Sequence, residues 1–323
     1  MKLQTRLIEL EIRDQGQPKA PVVLLIMGLG MQLISWPARL VDTLLAEGYR
    51  VIRFDNRDTG LSQRFGDLGV PSLPWAWLRH SMGLPIRPPY SLQDMARDAL
   101  SMLDALDIAS AHVLGVDMGG MIGQHMALLD PARVRSLCSA MSSSGARHLP
   151  GPEPAVRAAL LRRPVNTDTA SLLTHQQGLF ELLRSPSFPQ DLEDQRKRLL
   201  AGIHRAYYPE GVTRQLVAVL ADTQRAQALE QLRVPTLVLH GAHDPLLPPA
   251  CGEDTARRIP GARLITVEGM GHDLAPGVVQ ILLAAWLPHL KMHDAPSSAP
   301  GSSPSSTLGR AESHHHLQPA QAR

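Results

Sequence analysis

Three residues in this sequence sit just past apolar runs, and each is of a type that moves protons or forms covalent bonds. Asp117 stands in Gly115-Val116-Asp117-Met118-Gly119-Gly120, Asp244 follows Gly241-Ala242-His243, and His272 closes Glu268-Gly269-Met270-Gly271. The spacing Gly115-x-Asp117-x-Gly119 is that of a nucleophile elbow. There a sharp strand-to-helix turn holds the central side chain exposed at the carboxyl edge of a sheet. The chain order elbow, acid, histidine is that of a catalytic triad, in which the acid orients the imidazole and the imidazole manages the proton. Upstream, Met27-Gly28-Leu29-Gly30 also leaves an apolar run. It can turn the Leu29 N–H toward the same edge, where with the Met118 N–H it would form an oxyanion hole.

Aspartate at the elbow decides which bond can be attacked. A carboxylate can open a saturated carbon to give an alkyl-enzyme ester, which His272 would hydrolyse by activating water while Asp244 holds the imidazole. Against an acyl ester it is a poor substitute for serine, because attack forms a mixed anhydride. Two carboxylates flanking one imidazole also favour its protonated form. Loss of a serine nucleophile costs on the order of 10⁶ in turnover, roughly 8 kcal/mol.

The elements needed to present these residues are legible in the apolar pattern. Residues 22–27, 50–54, 112–116, 134–139, 236–240 and 264–267 are short runs rich in Val, Ile and Leu. Their unbroken apolar character predicts strands of a parallel sheet covered on both faces. Ile8, Leu10 and Ile12 alternate with Glu9, Glu11 and Arg13, which predicts an edge strand. Over 91–106, Leu92, Met95, Ala99, Leu103 and Leu106 recur at helical spacing, opened by the capping-box pair Ser91 and Asp94. Alternating strand and helix predicts an α/β fold. From 149 to 231 only helix-like stretches appear, such as 155–163 and 192–207, so this segment is expected to be an inserted helical cap. The core is then split into 1–148 and 232–293. Residues 294–323, rich in Pro, Ser and Gly, are expected to form a disordered tail in which His314-His315-His316 is a solvated tract.

Composition closes off other classes. The 323 residues are 44% hydrophobic and 19% charged, an ordinary globular balance, and contain no apolar run long enough to span a membrane. The opening Met1-Lys2-Leu3-Gln4-Thr5-Arg6 lacks a signal-peptide core. A formal net charge of +2 gives no reason to expect nucleic acid. Cys138 and Cys251 form neither a disulfide framework nor a CxxC pair. No metal-ligand cluster or Walker motif occurs, and Gly28-Leu29-Gly30 lacks the third glycine of a dinucleotide loop, where Leu33 stands. The expectation is a cytoplasmic enzyme with a small-molecule substrate, no cofactor, no metal, and neither nucleic acid nor membrane as partner.

On these motifs the chain resembles the α/β-hydrolase superfamily. Met27 to Gly30, the run Arg53 to Ser62, Gly115 to Met121, and Gly269-Met270-Gly271-His272 are most similar to bacterial esterases related to aclacinomycin methylesterase. The resemblance covers about residues 1 to 290. It implies an eight-stranded, mostly parallel sheet with helices on both faces, a helical cap, and hydrolysis of a small organic substrate. The departure is Asp117, where that group has serine. Asp at the elbow is the pattern of the superfamily's epoxide hydrolases and haloalkane dehalogenases. The dehalogenase reading is weaker, since Met118 stands where their halide-binding Trp would be. A third reading is a small-molecule receptor that has lost turnover. Trp36, Tyr207 and Tyr208 are candidates to line the pocket, the tyrosines as hydrogen-bond donors to an epoxide oxygen. His125, His240 and His243 read as packing, and Asp55-Asn56-Arg57 as a structural turn.

Overall fold

A computed structural model describes residues 1–294. The six apolar runs are strands: β3 (Val22–Ile26), β4 (Arg50–Phe54), β5 (Ala111–Val116), β6 (Val134–Ala140), β7 (Thr236–Gly241) and β8 (Arg263–Val267). They are preceded by β1 (Lys2–Gln4) and β2 (Glu9–Gln15). The eight form one sheet in the order β1-β2-β4-β3-β5-β6-β7-β8. β1 with β2 and β2 with β4 pair antiparallel, and the remaining pairs are parallel. The alternating segment at 8–13 is therefore not the edge. β1 covers it, through Lys2↔Glu11, Leu3↔Leu10 and Gln4↔Glu9. A three-residue Lys-Leu-Gln strand carries too little periodicity to be recognised in advance.

Alternate residues of each strand feed two separate cores. Leu24, Ile26, Ile52, Val113 and Leu137 point to one face. They pack there against α3 (Leu92–Ala105) and α4 (Met118–Leu129) through residues such as Met95, Met102, Ile122 and Met126. Val23, Leu25, Val51, Leu114, Cys138, Leu237 and Leu239 point to the other, against α1 (Ala38–Ala46) and α11 (Pro276–Met292). Burial on both faces is why these strands are apolar without alternation. The capping box at the head of α3 forms as expected: Ser91 Oγ accepts from Asp94 N–H, and Asp94 accepts from Ser91 N–H. α2 (Leu73–Ser81) lies in the long β4-to-α3 connection, and α10 (Ala250–Arg258) joins β7 to β8.

Between β6 and β7 the described chain has no strand, only α5 (Pro154–Leu161), α6 (Thr169–Leu183), α7 (Leu192–Arg205), α8 (Pro209–Ala221), the short α9 (Arg225–Ala228) and a 3-10 turn at Leu229–Gln231. α6 and α7 share a small apolar cluster of Leu172, Leu173, Leu199 and Ile203. α8 is tied back to the sheet by a fully buried ion pair, Arg214 Nε to Asp58 Oδ2 at 2.8 Å. Among the described residues no helix is long and apolar enough to cross a membrane. Asp294, the first residue of the expected tail, is held by the Tyr49 hydroxyl at 2.7 Å and His112 Nε2 at 3.0 Å. The rest of that expectation, including the histidine triplet, lies outside the described residues.

Candidate active site

The link between β5 and α4 is a sharp turn with Asp117 at its apex, at φ 53° and ψ −124°. A positive φ with that ψ is strained backbone for any residue with a Cβ, and the surroundings hold it there. Gly119 is required because a Cβ at that position would stand 2.0 Å from the Ile26 carbonyl oxygen at the end of β3. Ser142 Oγ donates to the Asp117 carbonyl at 2.8 Å, and Asp117 N–H donates to the Ala140 carbonyl at 3.0 Å. The result is a side chain presented at the carboxyl edge of the sheet, 18% exposed.

The structure brings Asp117, Asp244 and His272 together, although they come from the ends of three strands. The ring nitrogen Nδ1 of His272 is 2.7 Å from Asp244 Oδ2, and Nε2 is 3.9 Å from Asp117 Oδ1. Asp244 is buried, and its other oxygen accepts the N–H groups of Leu246 and Leu247, each at 2.9 Å. Those bonds fix the carboxylate and leave Oδ2 for the imidazole. Burial alone pulls the His272 imidazole down. The charge and hydrogen bond of Asp244 and the charges of Asp117 and Asp273 outweigh it, and its pKa is raised to about 9. Between two carboxylates, His272 is an imidazolium at neutral pH.

The expected oxyanion donor Leu29 lies at the same point: its N–H donates to Asp117 Oδ2 at 2.9 Å. The approach is close enough that a Cβ on Gly28 would meet that oxygen at 2.6 Å. Met118 is the first residue of α4, so its amide belongs to the helix-start donors that have no intrahelical acceptor. One carboxylate oxygen of Asp117 thus takes an amide that an acyl oxyanion would need, and the other faces the imidazolium.

The loop carrying Leu29 is braced by residues that sequence reasoning did not single out. Gln215, buried on α8, accepts the Gly30 N–H at 2.9 Å and donates to the Arg57 carbonyl and Thr59 Oγ1. Asn56 donates to the Met27 carbonyl, and Asp55 accepts the Leu33 N–H at 2.7 Å. The Asp55-Asn56-Arg57 turn is structural, as read, but what it supports is this loop. A second brace grips the histidine. His272 N–H donates to the Leu183 carbonyl at 2.8 Å, and Ser185 Oγ both accepts the Gly271 N–H and donates to Asp273. Asp273 also takes the Ser185 N–H and Gln190 Nε2. No local pattern signals either brace, since Gln215 and Ser185 act across 185 and 86 residues of chain respectively.

Other expected pocket residues lie elsewhere. Trp36 is 2% exposed in the core on the α1 and α11 face. Its position just past the Leu29 loop signalled proximity to the site, but the chain turns its indole inward. Tyr207 and Tyr208 line a cavity of about 100 Å³ with Gly30, Gln32, Thr59 and Val212, and neither Asp117 nor His272 lines it. The Tyr208 hydroxyl accepts from Arg214, and both Arg64 and Arg214 lie over its ring. The Tyr208 hydroxyl is therefore engaged by Arg214. His125, partly buried, pairs with Asp222 and has its pKa depressed by desolvation to about 3, His240 bonds the Leu247 carbonyl, and His243 is half exposed.

A family model described as the alpha/beta hydrolase fold matches residues 21–275. Rhodomycin D methylesterase of Streptomyces peucetius is 31% identical, over 85% of this chain and 93% of its own length. The same enzyme of Streptomyces sp. strain C5 is 32% identical over the same shares. A hydrolase from Pseudomonas aeruginosa superposes with a TM-score of 0.62 at 26% identity, covering 91% of this chain and 98% of that one. The enol-lactonase of Burkholderia xenovorans, 22% identical with a TM-score of 0.62 and covering 91% of this chain and 98% of its own, shares the fold.

Proposed function

The chain belongs to the alpha/beta hydrolase family, and from that premise we propose that it hydrolyses carboxylic esters of small molecules, with turnover limited by Asp117. The observation that carries this is the Leu29 N–H, 2.9 Å from the side chain at the elbow and on the same side chain that faces His272. An oxyanion donor next to the nucleophile position serves acyl chemistry. The methylesterase relatives support the same bond type.

Each residue has a role in this reading. Asp117 attacks the acyl carbon, and Leu29 and Met118 hold the oxyanion. His272, protonated at the start, gives its Nε2 proton to the departing alcohol. The mixed anhydride on Asp117 is then opened by water, which loses its proton to the now neutral His272. This regenerates the carboxylate and the imidazolium and releases the acid. The slow step is the first. From the tetrahedral intermediate a carboxylate leaves more readily than an alkoxide, so most attacks revert. Serine in the same place would leave less readily, and with a neutral His272 would complete the usual acyl-enzyme cycle. Residues 149–231 are the cap in this reading, and α8 within it steadies the oxyanion loop. The two buried free thiols fit a reducing, cytoplasmic setting.

The test compares the chain with Asp117→Ser on short-chain p-nitrophenyl esters. The expected gain in turnover is roughly a thousandfold or more. If the unchanged chain already turns esters over and serine brings nothing, the limiting role of Asp117 is wrong. If both are inert, ester hydrolysis is wrong, and tight binding without turnover would mark a receptor.

A further inference from the structure

Of the fourteen large hydrophobic residues exposed in the described chain, seven fall within 61–84: Leu61, Leu68, Val70, Trp75, Leu78, Met82 and Leu84. They lie in and around α2, the helix of the β4-to-α3 connection. α2 is apolar on two sides. Leu73, Ala76 and Trp77 face Val217 and Leu220 of α8. Trp75, Leu78 and Met82, at positions i, i+3 and i+7, form the opposite stripe, each more than 40% exposed. Large apolar side chains concentrated on one exposed helix stripe mark a surface that docks.

Charge selects the partner. Between 61 and 87 the chain carries Arg64, Arg79 and Arg87 against the single acid Asp67. The Arg79 guanidinium lies 5.9 Å from the Trp75 ring, so cation and aromatic share one edge of the stripe. An isologous contact with a second copy would set this net-positive patch against the same patch. A surface with an apolar interior and anionic headgroups satisfies both features, with Trp, Leu and Met entering the acyl boundary and Arg remaining at the headgroups.

We propose that residues 61–87 are a peripheral docking surface for an anionic lipid bilayer, with α2 lying in its interface. This departs from the sequence-based expectation that a membrane is no partner, while needing no spanning helix. The docking does not rest on the ester reading, but it would bring the site to where apolar esters partition. α2 packs on α8, and α8 supplies Gln215 to the Gly30 N–H and Val212 against the Gly30 backbone, so the docking helix reaches the oxyanion loop through α8.

The experiment is co-sedimentation of the full chain with phosphatidylglycerol vesicles and with phosphatidylcholine vesicles, with tryptophan emission followed in parallel. Binding to the anionic vesicles is expected, weakened by added salt and accompanied by a blue shift that Trp75→Phe reduces. Trp75→Gln with Leu78→Gln should weaken the partition by about tenfold or more, and Arg79→Gln with Arg87→Gln should remove the preference for anionic lipid. All four side chains lie on the surface, and an unchanged thermal melt confirms folding. Failure to bind either vesicle, equal partition onto both, or full binding by the Trp75/Leu78 variant would overturn the proposal. So would a dimer in sedimentation velocity that this variant abolishes without any vesicle binding.

Discussion

Replacing Asp117 by serine removes a carboxylate whose nearer oxygen lies 3.9 Å from His272 Nε2. Two unit charges at that distance interact by about 4 kcal/mol at an effective dielectric of about 20. Asp117 is 18% exposed, so water screens part of this. Halving the figure leaves about 2 kcal/mol, or about 1.5 pH units at 1.36 kcal/mol per unit. His272, now at about 9, is expected to fall to about 7.5. The drop matters because the imidazole must be neutral to take a proton from serine, and at pH 8 most of it then would be. The assay is a pH titration of the imidazole nitrogens by long-range proton–nitrogen NMR on labelled protein, on the parent, Asp117→Ser and Asp117→Asn. Serine and asparagine should lower the midpoint alike, since both remove the charge. A midpoint within about 0.3 unit of the parent in both variants would refute the assignment of Asp117 as a source of the raised value. A fall with serine alone would point to packing in place of charge.

The same imidazole makes stability depend on pH. Its folded pKa of about 9 exceeds the unfolded value of about 6.5, so its contribution, about 3 kcal/mol, is complete below pH 6.5 and is lost as pH rises through 9. Urea melts at pH 6, 8 and 10 should show that loss in the parent and about half of it in Asp117→Ser; a flat profile would contradict it. Gly119→Ala sets a Cβ 2.0 Å from the Ile26 carbonyl oxygen, and the expected outcome is a loss of about 3 kcal/mol or failure to fold, read from thermal melts. Arg214→Met strands Asp58 without its partner, both groups being fully buried, and should cost about 3–5 kcal/mol in denaturant melts, with partial recovery on adding Asp58→Asn.

What could be read in advance follows from how locally each feature is written. The central strands were visible because burial on both faces leaves an apolar run with no other explanation, and the elbow because Gly115 and Gly119 flank Asp117 at a spacing only a tight turn needs. His272 and Asp244 were visible because each leaves such a strand at a sheet edge. β1 was missed because three residues carry no period, and Trp36 shows that nearness along the chain does not fix which way a ring points. The braces were invisible for a different reason. Gln215, Ser185 and Asp273 do their work through partners far along the chain, and a polar residue in a helix or loop looks the same whether it faces water or a buried amide.

The grip of the 183–190 segment on the histidine loop bears on how far the helices between β6 and β7 are a module. Leu183, Ser185 and Gln190 bond to 271–273, and Ser187 N–H donates to the Gly269 carbonyl. The turn after β8 therefore takes its shape in part from helices some eighty residues earlier in the chain. The imidazole is thus set by a segment far from it in sequence. Transplanting another relative's helices between β6 and β7 would release His272, and with α8 it would also remove the Arg214–Asp58 ion pair and the Gln215 bond to the Gly30 N–H. Any exchange of these helices must carry residues 269–273 with it.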